Sequence, residues 1–577
     1  MKKMKRLGVL LMAVAMSASI VGCGGGGGRG TGGGGNKKVT TIEFLNFLGC
    51  SGDTWIKDAA ARFSDLKKEE VYEEGKTGVT VNVVQDKTIP YDSVDQSGYD
   101  IFVGEAKVDA YSMAKKNFLL NLNDIVEPME GQMSDVVKNS LKGPDDNYYA
   151  LPHYSWYAGA SYDVEYFQNE NLYFADPNSG ESRPVENEFG KAFFINSWES
   201  TKSCGPDGES GTEDDGLPSS LQELLILCEE INTNGGRTPF HLAGACISYG
   251  FFLADGLWAS MAGPEQIQTI YSLDSEGELV DLVELDENGN IVYTDEVYYT
   301  LSNGDKIMKP SIVREPITEE TGYRIYDMES RYYALAFLKI ALDKEWFHSD
   351  VKTGTLSNLK AQERFLTRKE TAILYDASYW YSETKEVGNV QTYHEMFPDS
   401  GDPKVSFMCL PSQLEGSVTE GNGKKLALLD IGSSQIFVNK KVENNPGKKR
   451  AVVEFLEFLY SPAELKAFTE YTGLTRPIDY DYEIDEMDYY FQELNKIIAR
   501  SETIYYGAES NIFKNNKSAF GLTWSAAINQ VQVGTTLVSD GFIAAMKTYG
   551  ASVHQTFDST RKTRSGWQSY LQYITES

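Results

Sequence analysis

The sequence predicts an α/β fold, and three observations carry that prediction. A β-rich run, Thr40-Thr41-Ile42-Glu43-Phe44-Leu45-Asn46-Phe47, breaks at Gly49 and gives way to an amphipathic helical pattern from Thr54 through Leu66. Val79 to Val84 then alternates as a second strand, and Tyr99-Asp100-Ile101-Phe102-Val103-Gly104 is a short apolar run closed by glycine, the pattern of a strand covered on both faces. Strands separated by helices build an α/β sheet, because each helix buries its apolar stripe on a sheet face. The third observation is size. Behind a glycine-rich stretch about 540 residues remain, which as a prior gives two large lobes or two to four domain-sized units. Phe118 to Leu122, with Asp124 and Ile125 behind it, reads as a turn into a solvent-facing segment.

The first residues read as an address. Lys2, Lys3, Lys5 and Arg6 precede an apolar stretch, Leu7 to Val21, of about 15 residues, short of the ~20 that a membrane-spanning helix needs. Ala18-Ser19-Ile20-Val21-Gly22-Cys23 resembles the lipobox of bacterial lipoproteins. That resemblance implies removal of residues 1–22 and acylation of Cys23, each buried methylene contributing about 0.8 kcal/mol to membrane attachment. Residues 23–39 are rich in glycine, which has no side chain to bury and much backbone entropy to lose, so they read as a flexible tether. A phosphate-binding loop is excluded because no Lys followed by Ser or Thr closes the glycine run.

The formal net charge is -31, and removing the four leader cations takes it to -35. A surface this acidic repels nucleic acid and anionic lipid. Beyond Cys23 there are five cysteines, Cys50, Cys204, Cys228, Cys246 and Cys409, with no C-x-x-C spacing, so buried thiols are favoured over a disulfide framework. One bridge within the stretch 204–246 is the alternative. Five histidines without H-E-x-x-H give a zinc enzyme little to build on.

Six further segments, in order, carry a resemblance to a known family. They are Asp100-Ile101-Phe102-Val103; Tyr149-Ala150-Leu151-Pro152; Tyr157-Ala158-Gly159-Ala160-Ser161-Tyr162-Asp163-Val164-Glu165-Tyr166-Phe167; Leu217-Pro218-Ser219-Ser220-Leu221-Gln222-Glu223-Leu224; Ala361 to Leu366 with Thr371 to Trp380; and Ala451 to Glu464 with Gly473-Leu474-Thr475-Arg476-Pro477. This order resembles the extracellular solute-binding proteins of ABC importers, family 1, the sugar-binding group that includes maltose-binding protein. Departures include Leu221 where the family commonly has Trp, and Ala377 where it has Gly. The resemblance implies a two-lobe periplasmic-binding-protein-like (type II) fold, with hinge-connected lobes and a ligand cleft between them. Its lobes would be 40–150 plus about 430–475, and 151–429 plus about 476–577. Acidic insertions lie near 174–216 and 274–320, the second strand-like and hairpin-forming.

Sugar binding asks for flat aromatic faces and planar polar groups that take hydroxyl pairs. The chain has eight Trp and 35 Tyr, several of them at segment ends. Tyr154, Trp156 and Tyr157 follow the lobe crossing, Trp258 ends an apolar helical stretch, and Asp376, Tyr379 and Trp380 end a strand. The resemblance puts these positions on the cleft. Core packing is the alternative for Trp258. Trp524 is a further candidate outside any matched motif, and Asn46 and Asp53 are candidates for hydrogen bonds from the other lobe, with helix capping the alternative for Asp53.

Gly205 to Gly216 alternates carboxylates with glycines, which lets a short loop aim hard oxygens at one point, as Ca²⁺ requires. Asp207, Glu209, Thr212, Asp214 and Asp215 are therefore candidate ligands of a structural Ca²⁺; a solvated acidic loop is the other reading. No nucleophile elbow, phosphate loop, nucleotide fingerprint or zinc motif points to catalysis.

The expected protein is a monomeric, non-enzymatic receptor that needs no cofactor, anchored by lipid on the outer face of a bacterial cytoplasmic membrane. It captures a carbohydrate and hands it to an ABC permease. Two alternatives stand beside it. One is a surface glycan-acting enzyme, since among so many carboxylates some pair falls roughly 5–9 Å apart; the other is a glycan-binding sensory or adhesive lipoprotein.

Overall fold

The structure, a computed structural model, describes residues 39–86, 91–104, 110–245, 248–272, 274–353, 355–416, 426–430 and 434–505. Cys23, the tether, Cys246 and Trp524 lie outside the described residues.

The first sheet grows from Thr40–Phe47, which pairs in parallel with Val79–Asp86 on one side and with Ile101–Gly104 on the other. Helix Thr54–Leu66 makes the connection between the first two strands. Its buried residues Trp55, Ile56, Ala59, Ala60 and Phe63 recur at helical spacing, so one stripe covers the sheet while Lys57 and Arg62 face outward. Gln435–Val438 arrives from far down the chain and inserts antiparallel between Ile101–Gly104 and Ala150–Pro152, completing five strands. Helices Pro446–Leu459 and Pro462–Thr472 add Phe455, Leu456 and Phe468 to the same core.

A second sheet is built from Val405–Phe407, Ala160–Asp163, Thr371–Tyr375 and Thr238–His241, in that order. Only its last pair is parallel. Helices Leu221–Thr233, Glu329–Asp343 and Asn358–Arg368 surround it, and their apolar residues form a separate core that includes Phe240, Phe337, Trp346 and Tyr375. Ser220 caps the first of these helices by accepting from the Glu223 N–H at 3.1 Å, and Ser357 caps the last.

The chain passes between the sheets in segments that bond to one another. The backbone N–H of His153 donates to Ser434 O at 2.9 Å, that of Ser155 to Thr475 O at 3.1 Å, and that of Ala158 to Leu429 O at 3.2 Å. Arg476 fastens this junction. Its guanidinium donates to the His153 carbonyl and to Tyr460 Oη, and lies 4.3 Å from the Phe468 ring centre. Burial beside that cation holds His153 well below its usual pKa, so the imidazole is neutral.

The 274–320 insertion forms hairpins, as its strand-like pattern predicts, and a hairpin also lies in the 174–216 insertion. Ser182–Asn187 pairs with Gly190–Ile195; Leu279–Val283 pairs with Ile312–Pro316, and Tyr293–Thr300 with Lys306–Pro310 is nested inside that pair. One expectation is overturned. Leu119, Leu120 and Leu122 are buried, not solvent-facing, because the Leu120 N–H donates to Val438 O and ties the segment under the first sheet's core. Among the described residues no helix is long and apolar enough to cross a membrane, and Cys50, Cys204, Cys228 and Cys409 form no disulfide.

Candidate functional site

The two sheets meet at a seam where the loop after the first strand touches the helix after strand Thr371–Tyr375. Helix Trp380–Glu386 presents Glu383 and Glu386, three residues apart, to that loop. Thr54 Oγ1 donates to Glu386 Oε2 at 3.1 Å, and Tyr471 Oη donates to Glu386 Oε1 at 2.8 Å. Gly52 has φ +68°, and a Cβ there would stand 2.1 Å from Glu386 Cγ, so only glycine permits this approach. A Cβ at Gly49 would lie 3.2 Å from Glu383 Oε1. The two lobes therefore touch through small residues of one and carboxylates of the other.

Behind this contact lies a buried polar cluster. Gln362 Nε2 donates to Asp376 Oδ2 at 3.0 Å and to Glu383 Oε2 at 2.8 Å, and Asn358 Nδ2 also donates to Glu383 Oε2 at 2.8 Å. Asp376 Oδ1 accepts from the Ala377 N–H at 2.8 Å. Burial, with the neighbouring Glu383 charge second, holds the Asp376 carboxyl well above the carboxylate range. Aromatic groups flank the cluster: the Trp156 ring meets Tyr379 edge-on at 5.2 Å, and the Tyr249 and Tyr379 hydroxyls are 3.4 Å apart. Such an arrangement can hold polyol hydroxyls against carboxylates and the apolar face of a ring against aromatic side chains.

The sequence-predicted residues divide accordingly. Trp156, Tyr379 and Asp376 meet at the seam. Asn46 reaches it indirectly, its Nδ2 donating to Gly52 O at 2.7 Å and thereby shaping the contact loop. Asp53 stands at the start of helix Thr54–Leu66 but makes no cap bond; it pairs with Lys57 one turn on. Tyr157 lies in the crossing segment, where its N–H donates to Ser378 Oγ at 2.9 Å.

Three assignments are corrected. Trp380 is fully buried, its Nε1 donating to Ser161 Oγ at 2.8 Å and its ring set against Phe365, Tyr381 and Tyr490; as the first residue of its helix it points into the core, not the cleft. Trp258 lies within helix Ser248–Ser272 and donates to Met328 Sδ in the same core. Tyr154 is buried against His153 and Phe468 in the first lobe. Sequence reading missed Gln362, Asn358, Glu383, Glu386 and Tyr249. The Glu383/Glu386 spacing on a helix that follows a strand-end acid was the available signal; the amides gave none.

The acidic loop closes on itself. The Asp207 N–H donates to Asp214 Oδ2 at 2.9 Å, Thr212 Oγ1 to Asp214 Oδ1 at 2.7 Å, the Glu209 N–H to Asp207 Oδ1 at 2.8 Å and the Gly211 N–H to Asp215 Oδ2 at 2.8 Å. Arg500 meets it, donating to Asp207 and to Glu213 Oε2 at 2.6 Å and lying 3.9 Å from Asp214. Burial and the Asp207 charge raise the Asp214 carboxyl to about 7. Calcium here would compete with a guanidinium already in position. A shallow recess of about 160 Å³ between Trp55, Arg62, Glu464 and Arg476 is small beside ordinary ligand pockets of roughly 300–1,000 Å³.

No family model matches the chain, and no curated protein does. Among solved structures it is similar to a chitin oligosaccharide binding protein, with TM-score 0.53 and 13% identity over 93% of this chain and 100% of that one. It is also similar to a mannobiose-bound binding protein of an ABC transporter from Bifidobacterium animalis subsp. lactis, with TM-score 0.50 and 12% identity over 93% of this chain and 95% of that one. Likeness at such identity is a likeness of fold. The chain has the two-lobed, periplasmic-binding-protein-like α/β fold that the order of its sequence segments implied.

Proposed function

We propose that this protein is a carbohydrate receptor of an ABC importer, anchored through Cys23 and closing its two lobes around a sugar at the seam. The observation that carries the reading is the seam itself, where Trp156 and Tyr379 stand beside the amide-held Asp376 and Glu383. The fold likeness to sugar-binding receptors supports it. A sugar that bridges both lobes stabilises the closed arrangement by its differential affinity for it, and a permease can recognise that arrangement. The glycine tether keeps the folded body within reach of such a partner.

A thermal-shift screen of the mature chain against mono- and oligosaccharides, chitin oligosaccharides and mannobiose included, tests the reading. At least one sugar raises the unfolding midpoint, and Trp156→Ala and Glu383→Gln each weaken that sugar at least tenfold, about 1.4 kcal/mol. A sugar response equal in both variants and the parent sinks the seam assignment. Product released from a glycan panel, and lost in Glu383→Gln, would instead establish an enzyme. Cys23→Ser releases the protein from cells into the medium if the anchor is as proposed.

A further inference from the structure

Away from the seam, the second lobe gathers a set of metal-ligating side chains that the sugar-binding reading does not use. His241 ends strand Thr238–His241, and residues 346–348 run alongside that strand: the Phe240 N–H donates to Trp346 O at 3.0 Å and the His348 N–H to Phe240 O at 2.9 Å. This pairing sets the two imidazoles next to each other, ring centres 5.2 Å apart. Asp350 follows on the turn Ser349–Thr353. One donor atom from each of His241, His348 and Asp350 lies within 4.8 Å of the others.

One detail points to a ligand. His241 is 2% exposed, and among the described residues neither of its ring nitrogens has a hydrogen-bond partner, a costly state for a buried polar group. His348 Nε2 lies 3.4 Å from Glu370 Oε2, while Nδ1 accepts the Asp350 N–H at 3.2 Å and lies 3.7 Å from Asp350 Oδ2, so a metal at Nδ1 displaces that backbone donor. Tetrahedral Zn²⁺ at about 2.0–2.1 Å from each ligand needs ligand atoms roughly 3.3 Å apart, so the observed spacings require about 1.5 Å of closure at most. Arg364, paired with Asp350, and the nearby Arg368 oppose a dication.

We propose that His241, His348 and Asp350 form a Zn²⁺ site that clips the end of the strand to the turn Ser349–Thr353. Two neutral imidazoles and one carboxylate suit Zn²⁺ and not Ca²⁺ or Mg²⁺, which take oxygen. The site lies apart from the seam, and its three protein ligands leave the fourth tetrahedral position to water.

The test uses the chelator-stripped mature chain, titrated calorimetrically with Zn²⁺, and with Co²⁺ as a visible-absorption reporter of tetrahedral ligation. One ion binds per chain; His348→Gln and Asp350→Asn each weaken it at least tenfold, and Arg364→Gln, which removes the competing cation, tightens it. Circular dichroism checks that each variant is folded. Absence of saturable binding overturns the proposal. So does binding unchanged in His348→Gln and Asp350→Asn, or binding abolished by Asp207→Asn, which would place the ion in the acidic loop.

Discussion

In the acidic loop, Arg500 brings a guanidinium to Asp207, Glu213 and Asp214, whereas at the seam Asp376 and Glu383 are held together by the amides of Gln362 and Asn358. The difference is one of chemistry. A guanidinium answers both the hydrogen bonds and the charge of its partners, so the loop is closed and pins the helix Tyr489–Arg500 to the insertion. An amide answers hydrogen bonds only. Burial and the Glu383 charge hold the Asp376 carboxyl well above the carboxylate range, and the seam retains donors and acceptors that a neutral polyol can exchange with. A cluster that carries its own counter-ion builds structure; one held by neutral amides is suited to a neutral ligand.

That contrast can be broken in four places. Trp380→Ala removes the fully buried indole beneath the seam helix and costs about 3–5 kcal/mol of unfolding free energy in urea titration; a loss below ~1 kcal/mol would return Trp380 to the cleft. Arg500→Ala strands the carboxylates of the loop and costs roughly 3 kcal/mol, the lower end for a buried pair because the arginine is a quarter exposed. If added Ca²⁺ restores most of that loss, the loop takes the ion in place of the guanidinium.

A smaller effect is written in pH. The folded Asp214 carboxyl sits at about 7, above its unfolded value near 4, so across that window the folded chain binds a proton that the unfolded chain has lost. Stability from this group falls as pH rises from about 4 to 7 and is level above; Asp376 contributes with the same sign. Asp214→Asn removes its share of the slope, and parallel stability–pH curves for variant and parent would refute the assignment. Smallest of the four, Glu386→Ala breaks the contacts to Thr54 and Tyr471 and costs under about 1 kcal/mol. Its expected signature is an opened seam, read as a larger radius of gyration without sugar.

Much of the fold was legible because local pattern dictates it. The strand Thr40–Phe47 and the helix Thr54–Leu66 fall where alternation and helical spacing put them, since burying one face of each is what the apolar residues do. The candidate site was legible in part. Trp156, Tyr379 and Asp376 reach the seam, but Trp380, one residue past Tyr379, turns inward because a helix begins there and rotates its side chain by about 100°. No neighbouring residue announces that turn. Gln362 and Asn358 lie on a helix that precedes the strand, and nothing local marks them as partners of Asp376 and Glu383.

By itself the sequence determined the excess of acidic residues, the alternation of strands and helices and the hairpins near 274–320, all properties of composition and short-range periodicity. Only the tertiary structure decided which aromatic rings face the seam and which fill a core. It alone put Arg500 into a loop some 290 residues away, and His241 beside His348. Those pairings join residues far apart in the chain, and their energy comes from burial and charge in a shared space that no local pattern encodes.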